Sequence, residues 1–359
     1  MPETPKPTSD AREHVAILGD GAMATVCSIL LSTGGHGVTL WGAFEDSIER
    51  LLQNRENERF LPGVRVPPGV RLTANDAEAF AGATLVLSAI PTQYIRGVWK
   101  RLSGYLPAGV PIVSVAKGIE NDTLLRPTEV IQDVLKRCGF GSAGRGPAPL
   151  LAALSGPNIA AELARYLPAT AVAACADEGF ATRVQSVFST QWFRVYTNND
   201  TVGVELAGAT KNVIAIAAGI LDGLAAGNNA KAALVTRGLV EISRLGAAMG
   251  AQPATFAGLA GLGDLITTCV SPEGRNRTVG ERIGKGQKLA DILATMDSVA
   301  EGVPTTRAVM QLARKYRVEM PITHAVHAVL FEGKDAIDAL TELMSRDPKP
   351  ESADDRVSG

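Results

Sequence analysis

The segment His14-Val-Ala-Ile-Leu-Gly-Asp-Gly-Ala-Met-Ala24 decides the fold, because a short apolar strand runs directly into a glycine turn and a helix is predicted at 25–32. Gly19 and Gly21 occupy the first two positions of a G-x-G-x-x-G/A pattern, and Ala24 occupies the third. The glycines permit a tight turn and close approach to a pyrophosphate, while the third position needs only a small side chain. This context favours a dinucleotide-binding loop over a merely structural glycine turn.

Beyond this loop, predicted strands alternate with helical stretches. Further strands are predicted at 38–41, 84–88, 111–115, 151–154 and 169–173. From about residue 201 the apolar period is helical, at 204–219, 230–249, 253–260, 278–285, 289–296, 305–314, 324–331 and 335–344. We therefore predict an α/β chain, in which a doubly wound, largely parallel Rossmann-like domain at 14–199 binds a dinucleotide and an all-α domain at 200–346 binds the substrate.

Composition excludes several classes of function. The net charge of −2 over 359 residues does not supply the basic surface of a general nucleic-acid binder. The four cysteines and four histidines show no metal-ligand spacing, so we expect reduced thiols, no metal and a cytoplasmic location. No signal peptide and no apolar run long enough to cross a bilayer is recognised. Residues 1–13 and 347–359 are predicted to be disordered, and 142–149 to form an insertion loop.

Lys211 lies in the middle of an apolar run, 204–219, that is typical of a buried helix. No acid stands three or four residues away to pair with it. Burial lowers the pKa of a lysine, and a lysine that titrates near neutrality can exchange a proton with a substrate oxygen. The alternatives are a lysine that extends into solvent or one that pairs with a distant carboxylate.

Three further features are candidates for an active site. Arg275, Asn276 and Arg277 follow a glycine in a predicted polar loop, 270–278, where they could hold a phosphate or could be solvated surface. Asp264 lies among glycines and apolar residues, where it needs a partner, or it could cap a helix beginning at 265. Lys117 follows a strand at the carboxyl edge of the sheet, where ligands bind, although it could equally be an exposed loop charge.

Cofactor preference depends on the end of the second strand. An acid there binds a ribose 2′-hydroxyl, whereas an arginine accommodates a 2′-phosphate. The strand ends in Trp41-Gly-Ala43, and Glu45 and Asp46 come slightly later. Because Ala43 carries no cation and two acids are close by, the sequence favours NAD over NADP.

The chain combines these features with motifs at Gly19-Asp-Gly21, Val38-Thr-Leu-Trp41, Ala116-Lys-Gly-Ile119, Ser155-Gly-Pro-Asn158, Gly203-Val-Glu-Leu-Ala-Gly-Ala-Thr-Lys-Asn-Val213, Gly261-Leu-Gly-Asp-Leu265, Arg275-Asn-Arg277, Ala300-Glu-Gly302 and Glu319-Met-Pro-Ile-Thr323. From about residue 14 to residue 344 it resembles NAD(P)-dependent glycerol-3-phosphate dehydrogenase of the bacterial type. The resemblance implies reversible, NAD(P)H-dependent reduction of dihydroxyacetone phosphate to sn-glycerol 3-phosphate, for phospholipid biosynthesis, by a cytoplasmic homodimer.

The resemblance also implies roles for individual residues. Lys211 would donate the proton in reduction and accept it in oxidation. The catalytic residues that it implies are Lys211, Lys117 and Asp264. The substrate-binding residues are Lys117, Gly156, Asn158, Asn212, Asp264, Thr268, Gly274, Arg275 and Asn276. The cofactor-binding residues are Gly19, Gly21, Ala22, Met23, Ala24, Ala43, Lys117, Ala160, Arg275, Val299 and Glu301.

The departures from the family pattern cluster at the cofactor. Ala22, Met23 and Ala24 stand where the family has serine, an aromatic residue and glycine, and Ala43 replaces an arginine or other polar residue. Gly274 stands where a serine often precedes Arg-Asn. Two rival hypotheses are another β-hydroxyacid-type dehydrogenase, which would bind a carboxylate, and a degenerate member that binds NAD(H) as a sensor or scaffold.

Overall fold

One eight-stranded sheet forms the N-terminal half of the chain in the computed structural model, which describes residues 12–141, 144–348, 350 and 351. Its strands are β1 (His14–Leu18), β2 (Gly37–Trp41), β3 (Arg71–Thr73), β4 (Leu85–Ser88), β5 (Ile112–Ser114), β6 (Leu151–Ser155), β7 (Ala169–Ala174) and β8 (Phe193–Asn198). Their order is β3-β2-β1-β4-β5-β6-β7-β8, and every neighbouring pair is parallel except β6 and β7. The predicted doubly wound, largely parallel sheet is confirmed.

Helices cover both faces of this sheet. They are α1 (Ala22–Thr33), α2 (Glu45–Asn54), α3 (Thr92–Leu102), α4 (Pro127–Arg137), α5 (Ala160–Ala164) and α6 (Glu178–Phe188), and a 3₁₀ turn at Ser103–Tyr105 follows α3. Strand β1 is buried on both sides, since Val15 and Ile17 belong to the core under α1 and α6, and Ala16 and Leu18 to the core under α3 and α4. Such burial explains its continuous apolar sequence.

The C-terminal half is helical, as predicted. It contains α7 (Thr201–Gly223), α8 (Gly227–Ala248), α9 (Pro253–Ala257), a π-helical turn (Leu259–Gly263), α10 (Asp264–Val270), α11 (Arg275–Gly284), α12 (Leu289–Ala294), α13 (Gly302–Tyr316), α14 (Pro321–Phe331) and α15 (Ala336–Met344). Helix α7 is the core helix, and residues 203–221 are all buried. Helix α7 has a mean hydropathy of 1.5 over its most apolar window, so it is long and apolar enough to cross a bilayer. The expectation that the chain has no such apolar run is therefore wrong, but this window is buried inside the protein.

Helix α11 packs against α7 with backbone contact. A Cβ on Gly280 would lie 1.9 Å from the carbonyl oxygen of Ile216, and one on Gly219 would lie 2.0 Å from that of Arg277. No other residue type fits at either position without moving a helix. The glycines therefore fix where the first turn of α11 lies relative to α7.

Some boundaries differ from the prediction. Strands β3 and β8, which form the two edges of the sheet, were not predicted, and β3 has only three residues. The helix predicted at 253–260 ends at Ala257, and the glycine-rich segment after it forms the π-helical turn and α10. Of the predicted disordered ends and insertion loop, residues 1–11, 142–143, 349 and 352–359 lie outside the described residues. Residue Glu13, which belongs to the predicted N-terminal extension, is described and accepts a hydrogen bond of 2.8 Å from Arg183 Nε.

Candidate active site

Two lysines share the carboxylate of Asp264, which is the first residue of α10 and is 2% exposed. Lys211 Nζ, in the middle of α7, lies 2.6 Å from Asp264 Oδ1 and also donates to Thr268 Oγ1. Lys117 Nζ lies 2.8 Å from Asp264 Oδ2. The side chain of Asp264 does not cap α10, since Gly263 is the N-cap residue, and no side-chain cap bond is present there. Lys211 is thus buried and paired with a distant carboxylate, which was one of the alternatives weighed for it.

Lys117 joins this cluster to the carboxyl edge of the sheet. It follows β5, and its Nζ donates to the Gly156 carbonyl oxygen and to Asn158 Oδ1, both at 2.9 Å, in the segment after β6. Asn212, which follows Lys211 on α7, donates from Nδ2 to the Lys117 carbonyl oxygen at 2.9 Å. The side chain of Lys117 is not an exposed loop charge, because three hydrogen bonds hold it in place, and the one to Asp264 is also a salt bridge.

Burial lowers the pKa of Lys211 to about 8. The negative charge of Asp264 opposes this shift, and the positive charge of Lys117 adds to it. A lysine with this pKa exists in both protonation states near neutral pH, which suits an acid that must also act as a base. The cluster combines a proton-exchanging group with a fixed ammonium and one shared counter-charge.

The predicted polar loop at 270–278 is wrong in part, since Arg275, Asn276 and Arg277 form the first turn of α11. Asn276 is buried, and its Oδ1 accepts a hydrogen bond of 2.9 Å from Gly302 N, which leaves its Nδ2 to donate. Arg275 is exposed at the same turn. Arg277 does not belong to this group, because its Nε and Nη2 lie 2.7 and 2.6 Å from the carboxylate of Asp222.

The start of α11 lies beside the lysine cluster. A Cβ on Gly274, the N-cap residue of α11, would lie 3.2 Å from the carbonyl oxygen of Thr268, the residue to which Lys211 donates. No side chain caps α11, so the amide groups of its first turn remain available to bind a ligand. A helix start with unbonded amides and a guanidinium is a favourable place for an anion.

Glu301 connects the helical half to the sheet. Its Oε1 accepts hydrogen bonds from Thr92 N at 2.7 Å and from Thr92 Oγ1 at 2.9 Å. Thr92 begins α3, directly after β4, so this contact lies at the carboxyl edge of the sheet. Burial raises the pKa of Glu301, and the bonds from Thr92 oppose the shift. Val299, two residues earlier, is 41% exposed.

The loop between β1 and α1 fits the pyrophosphate of a dinucleotide. Gly19 has φ +120°, and a Cβ there would lie 2.7 Å from the carbonyl oxygen of Ala89. A Cβ on Gly21 would meet nothing within 4 Å, and no side chain caps α1, so its first-turn amides remain available to bind an anion. Ala24 is fully buried, as the third position of the motif requires.

The remaining predicted cofactor residues surround this loop. Ala22 and Met23 are half-buried in the first turn of α1, and Ala160 begins α5, which contacts α1. Ala43 lies two residues beyond β2. The missing hydroxyl at Ala22 removes one donor and leaves the backbone amides in place, so the residues present are compatible with a dinucleotide.

Sequence reasoning assigned no role to Thr92 or to Ser155. Ser155 Oγ is buried and has no hydrogen-bond partner among the described residues. Gly208 lies on α7, one turn before Lys211. A Cβ at Gly208 would lie 2.9 Å from Ser155 Oγ and 3.5 Å from Lys117 Cγ. Both residues stand at the carboxyl end of a strand, β4 or β6, and that position was the signal that could have identified them.

Comparisons with known proteins agree with this geometry. Residues 14–181 match the family model of the NAD-dependent glycerol-3-phosphate dehydrogenase N-terminus, and residues 200–341 match the model of its C-terminus. The chain is 48% identical over 339 residues to a glycerol-3-phosphate dehydrogenase, NAD(P)+, of Citrifermentans bemidjiense, covering 94% of this chain and 99% of the relative. It is 49% identical over 335 residues to that of Koribacter versatilis, covering 93% and 97%.

Among solved structures, the chain is similar to a glycerol-3-phosphate dehydrogenase from Coxiella burnetii. The TM-score is 0.87 at 35% identity, and the match covers 93% of this chain and 99% of that structure. Because the two family models together span both halves of the fold, the relationship does not depend on the nucleotide-binding half alone. The chain belongs to the NAD-dependent glycerol-3-phosphate dehydrogenase family.

Proposed function

We propose that the chain reduces dihydroxyacetone phosphate reversibly to sn-glycerol 3-phosphate with a nicotinamide dinucleotide. The observation that carries this proposal is the cluster in which Asp264 holds Lys211 and Lys117 at 2.6 and 2.8 Å beside the first turn of α11. It brings together a proton donor of lowered pKa, a fixed ammonium and an anion site, which is what a phosphorylated ketone needs.

The first turn of α11 binds the substrate phosphate in this proposal. Arg275 supplies a guanidinium, and Asn276 supplies Nδ2, because its Oδ1 is already bonded to Gly302 N. The amides after Gly274 add backbone donors. Binding the phosphate here positions the carbonyl carbon, so that binding energy from a non-reacting group is used to orient the reacting one.

The carbonyl end of the substrate meets Lys211. A reduced nicotinamide, when bound, would supply the hydride for this reduction. Lys211 donates its Nζ proton to the developing alkoxide oxygen, so that a neutral lysine and an alcohol result, and the reverse reaction returns the proton. The side chain of Lys117, held by Gly156, Asn158 and Asp264, stabilises the negative charge on the same oxygen. Asp264 keeps both ammonium groups in position.

The cofactor occupies the loop after β1 in this proposal. Gly19, Gly21 and the first-turn amides of Ala22, Met23 and Ala24 would hold the pyrophosphate, and Ala43 would lie beside the adenosine ribose. The other residues that would hold the cofactor are Lys117, Ala160, Arg275, Val299 and Glu301. Because the acids Glu45 and Asp46 lie close to Ala43, we propose that NADPH is bound no better than NADH. We also propose a cytoplasmic homodimer that supplies glycerophospholipid biosynthesis.

A spectrophotometric assay of dihydroxyacetone phosphate with NADH or NADPH tests the function. We expect oxidation of the reduced nicotinamide that depends on the ketone and that becomes much slower with unphosphorylated dihydroxyacetone. Faster turnover of β-keto acids than of dihydroxyacetone phosphate would instead support the rival dehydrogenase. NADH binding without turnover of either substrate class would support the degenerate sensor or scaffold.

A further inference from the structure

A cavity of about 590 Å³ opens beyond the carboxyl end of β2. Its walls include Ala43, the acids Glu45, Asp46 and Glu49, and Arg101 from α3. In a doubly wound nucleotide-binding sheet, the residue at the end of the second strand faces the ribose of the adenosine. The cavity is therefore where the adenosine end of the cofactor and any 2′-phosphate on it would lie.

Arg101 brings a cation to Ala43 from far along the chain. Its Nη1 lies 3.3 Å from the Ala43 carbonyl oxygen, and its Nε lies 2.6 Å from Asp76 Oδ2. The side chain is 45% exposed, and Nη2 has no hydrogen bond to any residue that the structure describes. Sequence reasoning found no cation at this position because Arg101 stands 58 residues after Ala43.

The orientation of this guanidinium is fixed before any ligand binds. Its central carbon lies 5.2 Å from the centre of the Trp41 ring, and Asp76, which accepts from Arg101, also accepts from Trp41 Nε1 at 3.1 Å. A planar guanidinium held in this way loses little freedom when it binds a phosphate through its remaining donors.

We propose that Arg101 binds the 2′-phosphate of an NADP-type dinucleotide and thereby allows the chain to bind NADPH as well as NADH. This inference rests on the proposed function, because it requires the chain to bind a nicotinamide dinucleotide. Three acids in the cavity wall oppose the dianion: Glu45, Glu49 and Asp46, of which Asp46 is paired with Arg50 at 2.6 Å. The carboxylate of Asp76, which is paired with Arg101, partly neutralises the positive charge of this guanidinium. These opposing charges keep NADPH binding from exceeding NADH binding, and Arg101 makes NADPH binding possible at all.

Isothermal titration of the full chain with 2′,5′-ADP and with ADP tests the proposal, because neither probe carries a nicotinamide or depends on turnover. In Arg101→Met, we expect 2′,5′-ADP to bind at least about tenfold more weakly, as expected for loss of a charge-assisted contact, and ADP to stay within about threefold. Lys100→Met is the matched control, since Lys100 is the exposed neighbour on α3 and does not line the cavity. It should change neither affinity by more than about threefold.

A second variant keeps the test decisive if Arg101→Met folds poorly. Asp76→Asn retains the arginine and an acceptor for Trp41 and removes the competing charge, so it should strengthen binding of 2′,5′-ADP and leave ADP unchanged. Equal weakening of both probes in Arg101→Met, no weakening of either, or a parent chain that binds neither would overturn the proposal. Failure of the proposed reaction is separate, since it would appear as missing turnover of dihydroxyacetone phosphate while the probe preference persists.

Discussion

Lys211 and Asp264 form a buried ion pair, 2.6 Å from Nζ to Oδ1, across the interface of α7 and α10. The second oxygen of the same carboxylate lies 2.8 Å from Lys117, so two ammonium groups share one counter-charge. An anionic substrate would therefore meet a site with one uncompensated positive charge when Lys211 is protonated. The same arrangement keeps the pKa of Lys211 from falling further, because Asp264 is the main group that raises it.

Asp264→Asn removes the shared counter-charge and leaves the two lysines facing each other. Because removing one partner of a buried pair costs about 3–5 kcal/mol, we expect clearly lower stability in chemical denaturation. The pKa of Lys211 should fall below its parent value. The kcat/KM for ketone reduction should therefore begin to fall at a lower pH than in the parent chain. Thr268→Val, which removes a neutral acceptor of Lys211, should shift this pH limit less. A pH limit that Asp264→Asn leaves unmoved would show that Asp264 does not tune Lys211.

The two directions of the reaction should respond oppositely to pH. Reduction needs protonated Lys211, and oxidation needs its neutral form, while burial lowers its pKa to about 8. The kcat/KM for dihydroxyacetone phosphate should therefore fall as pH rises through about 8, and that for sn-glycerol 3-phosphate should rise over the same range. Profiles measured at constant ionic strength check this, and two curves of the same direction would contradict it.

Arg275→Ala should raise KM for dihydroxyacetone phosphate strongly, because the phosphate loses its guanidinium partner. The expected loss is on the order of 2 kcal/mol, or about thirtyfold in kcat/KM. Lys285→Ala is the control at the C-cap of the same helix, since it removes one positive charge at an exposed position, where the ammonium is paired with Glu281. If both variants had unchanged kinetics, Arg275 would be ordinary surface and the phosphate would bind elsewhere.

Gly280→Ala tests how the anion site is positioned. The new Cβ would stand 1.9 Å from the backbone oxygen of Ile216, so α11 must move away from α7. We expect a loss of about 3 kcal/mol in the free energy of unfolding and a raised KM for the phosphorylated substrate. Gly97→Ala, in α3, meets nothing within 4 Å and should be neutral or stabilising by up to about 1 kcal/mol. Equal stability of the two variants would refute the close-packing argument.

Local sequence patterns predicted the elements that position the site better than they predicted the partners within it. The apolar run around Lys211 indicated a buried helix, and the strand before Gly19 indicated the nucleotide loop, since both depend on neighbours in sequence. The partner of Lys211 is 53 residues away, and Asp222, which takes Arg277 out of the anion site, is 55 residues from that arginine. Pairings over such distances depend on how helices pack, which periodicity does not report.

The same limit explains the cofactor site. Ala43 indicated that no cation faces the ribose, but Arg101 reaches that position from α3. Glu301 reaches Thr92 across 209 residues, which only the packing of the helical half against the sheet brings about. The residue roles that the family resemblance implied for these positions remain predictions.

The most direct test of the account is the turnover of Lys211→Met, which keeps the helix and approximate volume and removes both the transferable proton and the charge facing the alkoxide. Circular dichroism and NADH fluorescence should show that the variant folds and still binds cofactor. We predict that kcat for dihydroxyacetone phosphate reduction falls by about 10²–10⁴-fold, as for removal of a general acid. A kcat within about threefold of the parent would contradict it, and the role of proton donor would then pass to Lys117.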